Sequence, residues 1–299
     1  MIIVMTGGTS GIGAEALNKI RENEDNTVFV GARHGNRTLQ NGARALTLDL
    51  SSLESVRAFA ENIQQSIQPH KIDLLILNAG VQAGNNSEVN ADGINLTFAI
   101  NHLSHYLLIR LLLPYIAKDG RILITTSDAH DAQIIPFGPK TMDIHKLAFP
   151  DESSPKGMAF YAATKLCNIL TADTLHHSVL SHANIQVIAY NPGLTGDTGL
   201  MGKQTGLLKI AVKVVRPIFR FLSLFNPMFY MNTAKKSGEI LAGLALGNIK
   251  LPKGSMYASV VRGKVTFPSP AVLVKDENLK RDLWTKSAKM VNLSAETVL

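Results

Sequence analysis

Short apolar runs alternate with helical patterns along most of the chain, and this alternation constrains the fold more than any other feature. Each run is continuous, which is typical of a strand buried on both faces of a parallel sheet. Because crossovers between parallel strands are right-handed, the pattern predicts an α/β fold built on a doubly wound parallel sheet. The six runs cover residues 2–5, 27–30, 45–48, 72–77, 121–125 and 185–189.

Elsewhere the sequence predicts further helices, one last strand and a long loop. We expect the loop over residues 128–158, before the 161–180 helix, because this stretch contains four prolines. No repeat or linker divides the chain, so we expect a single domain over residues 1–299. Helices are predicted over residues 95–117, 161–180, 233–246 and 276–289, with a last strand at 256–258.

Composition narrows the class of protein. The chain has 299 residues, of which 45% are hydrophobic and 18% charged, so it can bury a large core. Its one cysteine, Cys167, excludes an internal disulfide framework and a Cys-rich zinc module. His102 and His105 have no accompanying carboxylate or cysteine set, so we predict no metal site.

The net charge of +7 is compatible with nucleic acid, an anionic membrane or a polyanionic cofactor. No run of basic residues is longer than Lys235-Lys236, so we predict no nucleic-acid partner. The apolar run at Ile2 leaves no room for a signal peptide, and no uncharged stretch is long enough to span a membrane. We therefore expect a cytoplasmic protein, with peripheral membrane contact as an open alternative.

A glycine-rich segment follows the first strand and opens the first helix. Small residues there let the backbone approach a pyrophosphate, and the helix N-terminus offers free N–H groups. The alternative is a plain glycine turn, but a dinucleotide-binding sheet needs such a loop at this place. The predicted phosphate-binding residues are Gly7, Thr9, Ser10, Gly11, Ile12 and Gly13.

Arg33 follows the second strand, where a site for a free ribose 2′-hydroxyl usually has an acid. No acid occurs between Thr27 and Leu48, and Arg37 lies close by in the sequence. A guanidinium suits a 2′-phosphate by its charge and its forked donors. The sequence therefore predicts NADP(H) in preference to NAD(H).

Tyr161 and Lys165 are four residues apart and fall on one face of a predicted helix. A tyrosine normally titrates near pH 10, and a nearby cation lowers that pKa. Ser127 follows the fifth strand, at the sheet edge where ligands bind, and its hydroxyl can hydrogen-bond a carbonyl oxygen. Asn101 lies on the preceding helix.

Together these residues resemble the short-chain dehydrogenase/reductase family, whose motifs occur here in family order over residues 2–247. The resemblance implies a Rossmann-type fold and a catalytic tetrad at Asn101, Ser127, Tyr161 and Lys165. It also implies cofactor contacts after the third, fourth and sixth strands. Beyond the glycine loop and Arg33, the cofactor-binding residues it implies are Asp49, Leu50, Asn78, Ala79, Gly80, Tyr161, Lys165, Pro192, Gly193, Thr195 and Thr198.

The family resemblance also implies a mechanism. Hydride passes between the nicotinamide and a carbonyl carbon, and Tyr161 gives or takes the proton on oxygen. Lys165 lowers the pKa of Tyr161 and binds the ribose, and Ser127 polarises the carbonyl. Asn101 holds a water that links Lys165 to a proton relay.

Two branches of the family match best. The segment 101–106, NHLSHY, is similar to the NHLGHF stretch of retinol dehydrogenase-like members. The segment 165–170 is similar to the matching helix of those enzymes and of protochlorophyllide reductases. The latter tend to lack the serine found here at 127, so their photochemistry is disfavoured.

Residues 206–231 are rich in Phe, Leu, Ile, Val and Met, with basic residues recurring every three or four positions. In the family this segment lies beside the substrate pocket, which predicts a helical lid over an apolar substrate. The same basic amphipathic face would also suit a membrane surface, and packing on the core or in a homo-oligomer interface is a third alternative.

The leading hypothesis is an NADPH-dependent carbonyl reductase or retinol-type alcohol dehydrogenase acting on an apolar small molecule. A non-catalytic NADP(H)-binding regulator on the same fold is the alternative from another class, and the tetrad argues against it. A reductase of carbon–carbon double bonds, as in protochlorophyllide reductases, also stays open.

Overall fold

The computed structural model describes residues 1–35, 37–39, 42–82, 88–180, 183–196 and 230–296, without the side chain of Arg37. The described strands belong to one sheet. They are β1 Ile2–Thr6, β2 Thr27–Ala32, β3 Arg37–Thr38, β4 Arg44–Thr47, β5 Ile72–Leu77, β6 Ile116–Thr125, β7 Gln186–Asn191, β8 Tyr257–Val261 and β9 Lys264–Thr266.

The strand order is β3-β4-β2-β1-β5-β6-β7-β8-β9. All neighbours are parallel except the two edge pairs, β3 with β4 and β8 with β9. The order reverses beside β1, since β2 lies on one side of it and β5 on the other. Such a reversal opens a crevice at the carboxyl ends of the strands, and ligands bind in this crevice in doubly wound sheets. The α/β Rossmann-type prediction is confirmed.

Both faces of the sheet are buried, which explains the continuous apolar runs. In β1, Ile3 and Met5 pack into the cluster on one face, whereas Val4 packs into the cluster on the other. All three side chains are fully buried. Alternation of side chains across a strand therefore demands apolar residues at every position.

Helices cover the two faces. The α1–α7 pair covers one face, while α2, α4, α6 and α8 cover the other. The described α-helices are α1 Gly11–Ile20, α2 Leu53–Ile67, α3 Leu96–Phe98, α4 Ser104–Leu112, α5 Ile144–Ala148, α6 Gly157–Thr174, α7 Ala234–Ala245 and α8 Glu277–Met290.

The predicted helix over 95–117 is less regular than expected. A π-helical turn, Ala99–Leu103, separates α3 from α4, and a 3-10 turn, Leu113–Tyr115, follows α4. Pro114 lies in that turn and cannot continue the helix. As a result β6 begins at Ile116, before the predicted start of the strand, with a register shift opposite β5.

The predicted loop over 128–158 is not wholly irregular. It contains a 3-10 turn at Asp128–His130 and the short helix α5, which Asp143 caps by accepting hydrogen bonds from two backbone N–H groups. Helix α6 begins at Gly157, four residues before the predicted start. Five residues of helix between prolines are too few to show a helical period in the sequence.

Most of the predicted lid, residues 206–229, lies outside the described residues, as does Thr198. Among the described residues, one helical stretch, Leu96–Tyr115, is long and apolar enough to cross a membrane by length and composition. Of that stretch 78% is buried inside the fold. Burial of this kind is typical of a core helix.

Candidate active site

The glycine loop joins β1 to α1 and needs glycine for two reasons. Gly7 and Gly11 have positive φ, 69° and 56°. A Cβ on Gly13 would lie 1.9 Å from the Gly7 carbonyl oxygen, so α1 can approach the loop only without a side chain there. Ser10 precedes α1 without capping it through its side chain. The first-turn N–H groups are thus left for an anion such as a pyrophosphate, and the loop fits one.

The Asn78 side chain joins this loop to the neighbouring strands by hydrogen bonds. Its Nδ2 donates to the Gly7 carbonyl at 3.3 Å, and its Oδ1 accepts from Thr125 Oγ1 at 3.1 Å. The Thr6 hydroxyl accepts from the backbone N–H groups of Asn78 and Ala79 at 3.1 and 3.2 Å. The described contacts of the Asn78 side chain therefore hold the carboxyl ends of β1, β5 and β6 in one arrangement.

His105 completes this network, although sequence reasoning predicted for it only an ordinary helix position. Its Nε2 lies 3.0 Å from Thr6 Oγ1, and its Nδ1 lies 3.3 Å from the Asn101 carbonyl. Because Thr6 already accepts two hydrogen bonds, its own proton points to Nε2, and Nδ1 carries the imidazole proton. Burial, followed by the nearby Lys165 charge, lowers the pKa of His105 to about 3, which keeps the ring neutral. The spacing Asn101–His105, one helical turn, is the sequence signal that could have shown it.

The predicted adenosine-side residues lie on the same edge of the sheet. Arg33 is exposed directly after β2. Asp49 is half-buried after β4, and its Oδ1 accepts from the Ser51 N–H and hydroxyl at 2.9 and 2.7 Å. The Leu50 carbonyl accepts from Ser104 Oγ at 2.6 Å. The exposed Arg33 side chain at the end of β2 is where a phosphate can reach it.

Asn101 lies in the π-helical turn, a local widening that often marks functional sites. Its side chain binds the segment after β5: Oδ1 accepts from Val81 N–H at 2.8 Å, and Nδ2 donates to the Val81 carbonyl at 2.9 Å. Nδ2 also lies 3.0 Å from Thr164 Oγ1. A Cβ on Gly80 would meet Lys165 Nζ at 3.2 Å and Asn101 Oδ1 at 3.3 Å. Gly80 thus lets the chain pass directly beside these two side chains.

Ser127, Tyr161 and Lys165 converge at the carboxyl end of β6. The Ser127 side chain lies beside that of Tyr161 and favours its ionised form. Lys165 Nζ lies 5.6 Å from the centre of the Tyr161 ring and donates to the Thr125 carbonyl at 3.3 Å. The Ser127 hydroxyl also accepts from Ala129 N–H, which fixes the turn after the strand. The structure therefore brings the four predicted tetrad residues together.

Burial controls the protonation of this cluster. It raises the pKa of Tyr161, and the Ser127 side chain opposes that rise. Burial lowers the pKa of Lys165 to about 8. In the protein alone, burial therefore outweighs the predicted lowering of the Tyr161 pKa by Lys165, and that lowering stays a prediction for the cofactor-bound site.

The turn after β7 contains the predicted Pro192 and Gly193. Gly193 has a φ of 65°, and its N–H donates to Asn191 Oδ1 at 2.9 Å. A Cβ on Gly193 would lie 2.4 Å from the Val260 carbonyl, so glycine lets the turn lie against β8. Thr195 Oγ1 hydrogen-bonds the Pro192 and Gly193 carbonyls. This turn borders the same crevice as the glycine loop.

The other histidine of the Leu96–Tyr115 helical stretch, His102, lies in the core. His102 Nε2 lies 2.9 Å from Ser287 Oγ, and burial lowers its pKa to about 3. Within the part of the chain that the structure describes, no group of three His, Cys, Asp or Glu side chains could hold a metal ion. Cys167 is fully buried in the core.

Comparison with known proteins agrees with this geometry. Residues 1–138 match the family model described as short chain dehydrogenase. Over these residues the chain is similar to the short-chain dehydrogenase/reductase family. This family consists of oxidoreductases that use a nicotinamide cofactor.

Relatives from both predicted branches match nearly the whole chain. Protochlorophyllide reductase A of Oryza sativa is 26% identical, with 98% of this chain and 81% of the relative covered. Retinol dehydrogenase 13 of Mus musculus is 28% identical, with 98% of this chain and 84% of the relative covered. The WW domain-containing oxidoreductase of Drosophila melanogaster is 29% identical, covering 99% and 68%.

Solved structures share the fold. An uncharacterized protein from Mycobacterium paratuberculosis superposes with a TM-score of 0.69 at 22% identity, covering 99% of this chain and 94% of that one. A short chain dehydrogenase from Burkholderia cenocepacia in complex with NADP superposes with a TM-score of 0.57 at 19% identity, covering 81% and 89%. At these identities the likeness establishes the fold alone.

Proposed function

We propose that this chain is an NADPH-dependent oxidoreductase that interconverts a carbonyl and an alcohol on an apolar small molecule. The observation that carries the proposal is the convergence of Ser127, Tyr161 and Lys165 beside the glycine loop. Binding of a nucleotide alone would need neither the serine nor the tyrosine, so the cluster argues against a non-catalytic regulator.

The roles follow from the positions of these groups. When bound, the nicotinamide supplies or accepts the hydride. Ser127 donates a hydrogen bond to the substrate oxygen as negative charge develops there. Tyr161, beside Ser127, gives its proton to that oxygen in reduction and takes it back in oxidation. The Lys165 ammonium beside the ring favours the phenolate that forms when this proton leaves.

The preference for NADP(H) rests on Arg33. It is exposed directly after β2, next to the crevice, and a guanidinium binds a 2′-phosphate through two parallel hydrogen bonds. Structural neighbours in complex with NADP or NADPH support this choice.

The apolar substrate class rests on side chains around the tetrad. Met158 precedes Tyr161 by three residues on α6 and is 37% exposed, while Leu194 follows Gly193 and is 40% exposed. Large apolar side chains left in contact with water at a crevice are typical of a binding site for an apolar ligand.

A second candidate function is reduction of a carbon–carbon double bond. Relatives named protochlorophyllide reductase favour it. Ser127 disfavours it, because this hydroxyl suits a developing alkoxide. Identification of products from an α,β-unsaturated ketone distinguishes the two: an allylic alcohol supports carbonyl reduction, and a saturated ketone supports the alternative.

The decisive test is Tyr161→Phe. Loss of the phenolic proton should lower kcat about 10²–10⁴-fold on a panel of aldehydes, ketones and quinones of graded size, since a general acid contributes about this much. The dissociation constant of NADPH should stay within about threefold, because the nucleotide loop is untouched. Tyr115→Phe, on a half-buried tyrosine that packs on Lys71, is the matched control. Undiminished turnover by Tyr161→Phe contradicts the proposal.

Peripheral membrane contact through residues 206–231 is a separate proposal that rests on their sequence. Removing the charges of Lys209, Lys213, Arg216 and Arg220 should weaken co-sedimentation with anionic liposomes. A wild-type protein that does not sediment with them contradicts this contact and favours the lid or a homo-oligomer interface.

A further inference from the structure

A polar cluster lies behind the Ser127 turn, at the carboxyl ends of β6, β7 and β8, and the mechanism does not use it. We propose that Asp128 and Asn191 in this cluster form a positioning pair that couples the Ser127 turn to the Pro192–Gly193 turn. The inference rests on the proposed function, because it assigns the substrate oxygen to the Ser127 turn and takes the Pro192–Gly193 turn as a cofactor contact.

Asn191 is the centre of the cluster and is almost fully buried at the end of β7. Its Nδ2 donates to Asp128 Oδ1 and, at 2.9 Å, to Ser259 Oγ on β8. Its Oδ1 accepts from the Gly193 N–H at 2.9 Å. Both donors and the carbonyl of one amide are therefore engaged, so the amide cannot rotate without breaking contacts on three elements.

Asp128 connects the amide to the catalytic serine, because it is the next residue after Ser127 and begins the 3-10 turn that Ser127 caps. The backbone that carries its carboxylate is therefore continuous with the backbone that carries the Ser127 hydroxyl. The Gly193 turn, at the other end of the link, lies closely against β8. The pair thus sets the separation of the two turns.

The ionised form of Asp128 makes the stronger link, since a carboxylate accepts a hydrogen bond more strongly than a neutral group does. The groups that face it are His130 and Asp131 on its own turn, Asn191 on β7, and Tyr257 and Ser259 on β8. Burial, opposed by the hydrogen bonds from Asn191 and Ser259, raises the pKa of Asp128 to about 6. Burial lowers the pKa of His130, which favours the neutral form of this imidazole. The link should therefore weaken as the pH falls through 6.

The first test compares wild type with Asp128→Asn, which keeps the shape of the side chain and removes its charge. The wild-type kcat at saturating NADPH should fall about tenfold between pH 7 and pH 5, the effect of losing one charge-assisted hydrogen bond. In Asp128→Asn, kcat should be about tenfold lower at pH 7 and flat over this range, with KM for the carbonyl changed less than threefold. Asp282→Asn, which removes the same charge from an exposed ion pair with Lys286 on α8, should behave as wild type.

The second test needs no turnover. In the nucleotide-free protein, the Gly193 amide proton resonance should titrate with a midpoint near pH 6 in wild type and not in Asp128→Asn. A Gly193 resonance that does not move, or an acid limb of kcat that persists in Asp128→Asn, overturns the positioning pair. Absence of turnover by wild type on every carbonyl overturns the proposed function instead, and the resonance still decides whether the two turns are coupled.

Discussion

Burial of the Lys165 ammonium lowers the stability of the folded protein. Its side chain is only 2% exposed, and its described hydrogen bond is to the Thr125 carbonyl. Burial lowers its pKa from 10.5 to about 8. Between these values the unfolded chain binds a proton that the folded chain does not, so stability rises with pH over this range. Below pH 8 the ammonium is charged in the folded protein, and its burial lowers the free energy of unfolding by the full amount.

We therefore expect Lys165→Met to stabilise the nucleotide-free protein at pH 7 by about 1–3 kcal/mol, an advantage that disappears near pH 10.5. Urea unfolding of both proteins at the two pH values measures this difference. Lys71→Met, at an exposed lysine, should show no such pH dependence. A variant that is less stable than wild type at pH 7 would show that the ammonium is better satisfied than its contacts indicate.

Arg33 is the residue that should decide between the two nucleotides. Arg33→Ser removes the guanidinium, so the dissociation constant of NADPH should rise about 10–100-fold, as expected for loss of charged hydrogen bonds to a phosphate. That of NADH should change little, because NADH lacks the 2′-phosphate. Fluorescence titration measures both, and Arg281→Ser, at an exposed arginine on α8, is the control. Equal losses for NADPH and NADH would refute the assignment.

At the scale of elements, α1 can pack on the glycine loop because residue 13 is a glycine and has no side chain. A Cβ at position 13 would meet the Gly7 carbonyl oxygen at 1.9 Å and Asn78 Nδ2 at 2.6 Å. Gly13→Ala should therefore push α1 away from the loop, destabilise the protein by about 1–3 kcal/mol and weaken NADPH binding at least about tenfold. Urea unfolding and fluorescence titration measure the two effects.

Gly254→Ala is the comparison for this variant. Gly254 also has a positive φ, 79°, but a Cβ there would meet no atom within 4 Å. The substitution should cost stability through backbone strain alone and leave NADPH affinity unchanged. Equal NADPH affinity in Gly13→Ala and wild type would contradict the close-approach argument.

Local patterns explain which parts of the site could be predicted from the sequence. The glycine loop and the Tyr161–Lys165 spacing each lie within one turn of chain, so their chemistry is visible in the order of residues. The contact of Thr6 with His105 joins residues 99 apart, and that of Asn191 with Asp128 joins residues 63 apart. Such contacts depend on which strands are neighbours in the sheet. The sequence predicts the class of sheet but not these neighbours. The edge strands β3 and β9, of two and three residues, are too short to carry a period.

At the scale of the whole molecule, binding of NADPH to the folded form should stabilise all of it. At a concentration of 100 times its dissociation constant, a ligand adds about 2.7 kcal/mol, which corresponds to a rise in Tm of about 5–10 °C for a chain of this size. Differential scanning calorimetry should show this rise in wild type and in Tyr161→Phe, and a smaller one in Gly13→Ala. A Tyr161→Phe protein that gains nothing from NADPH would mean that the tyrosine is needed for binding rather than for chemistry.

The clasp formed by Thr6, Asn78 and His105 has one more consequence. It ties the nucleotide loop to three interior strands and to the helix of Asn101, so the loop has no hinge of its own. The loop and the sheet should then melt as one cooperative unit. As denaturant is added, nucleotide binding and β-sheet content should therefore be lost in the same transition. No intermediate should keep the sheet after the loop has unfolded.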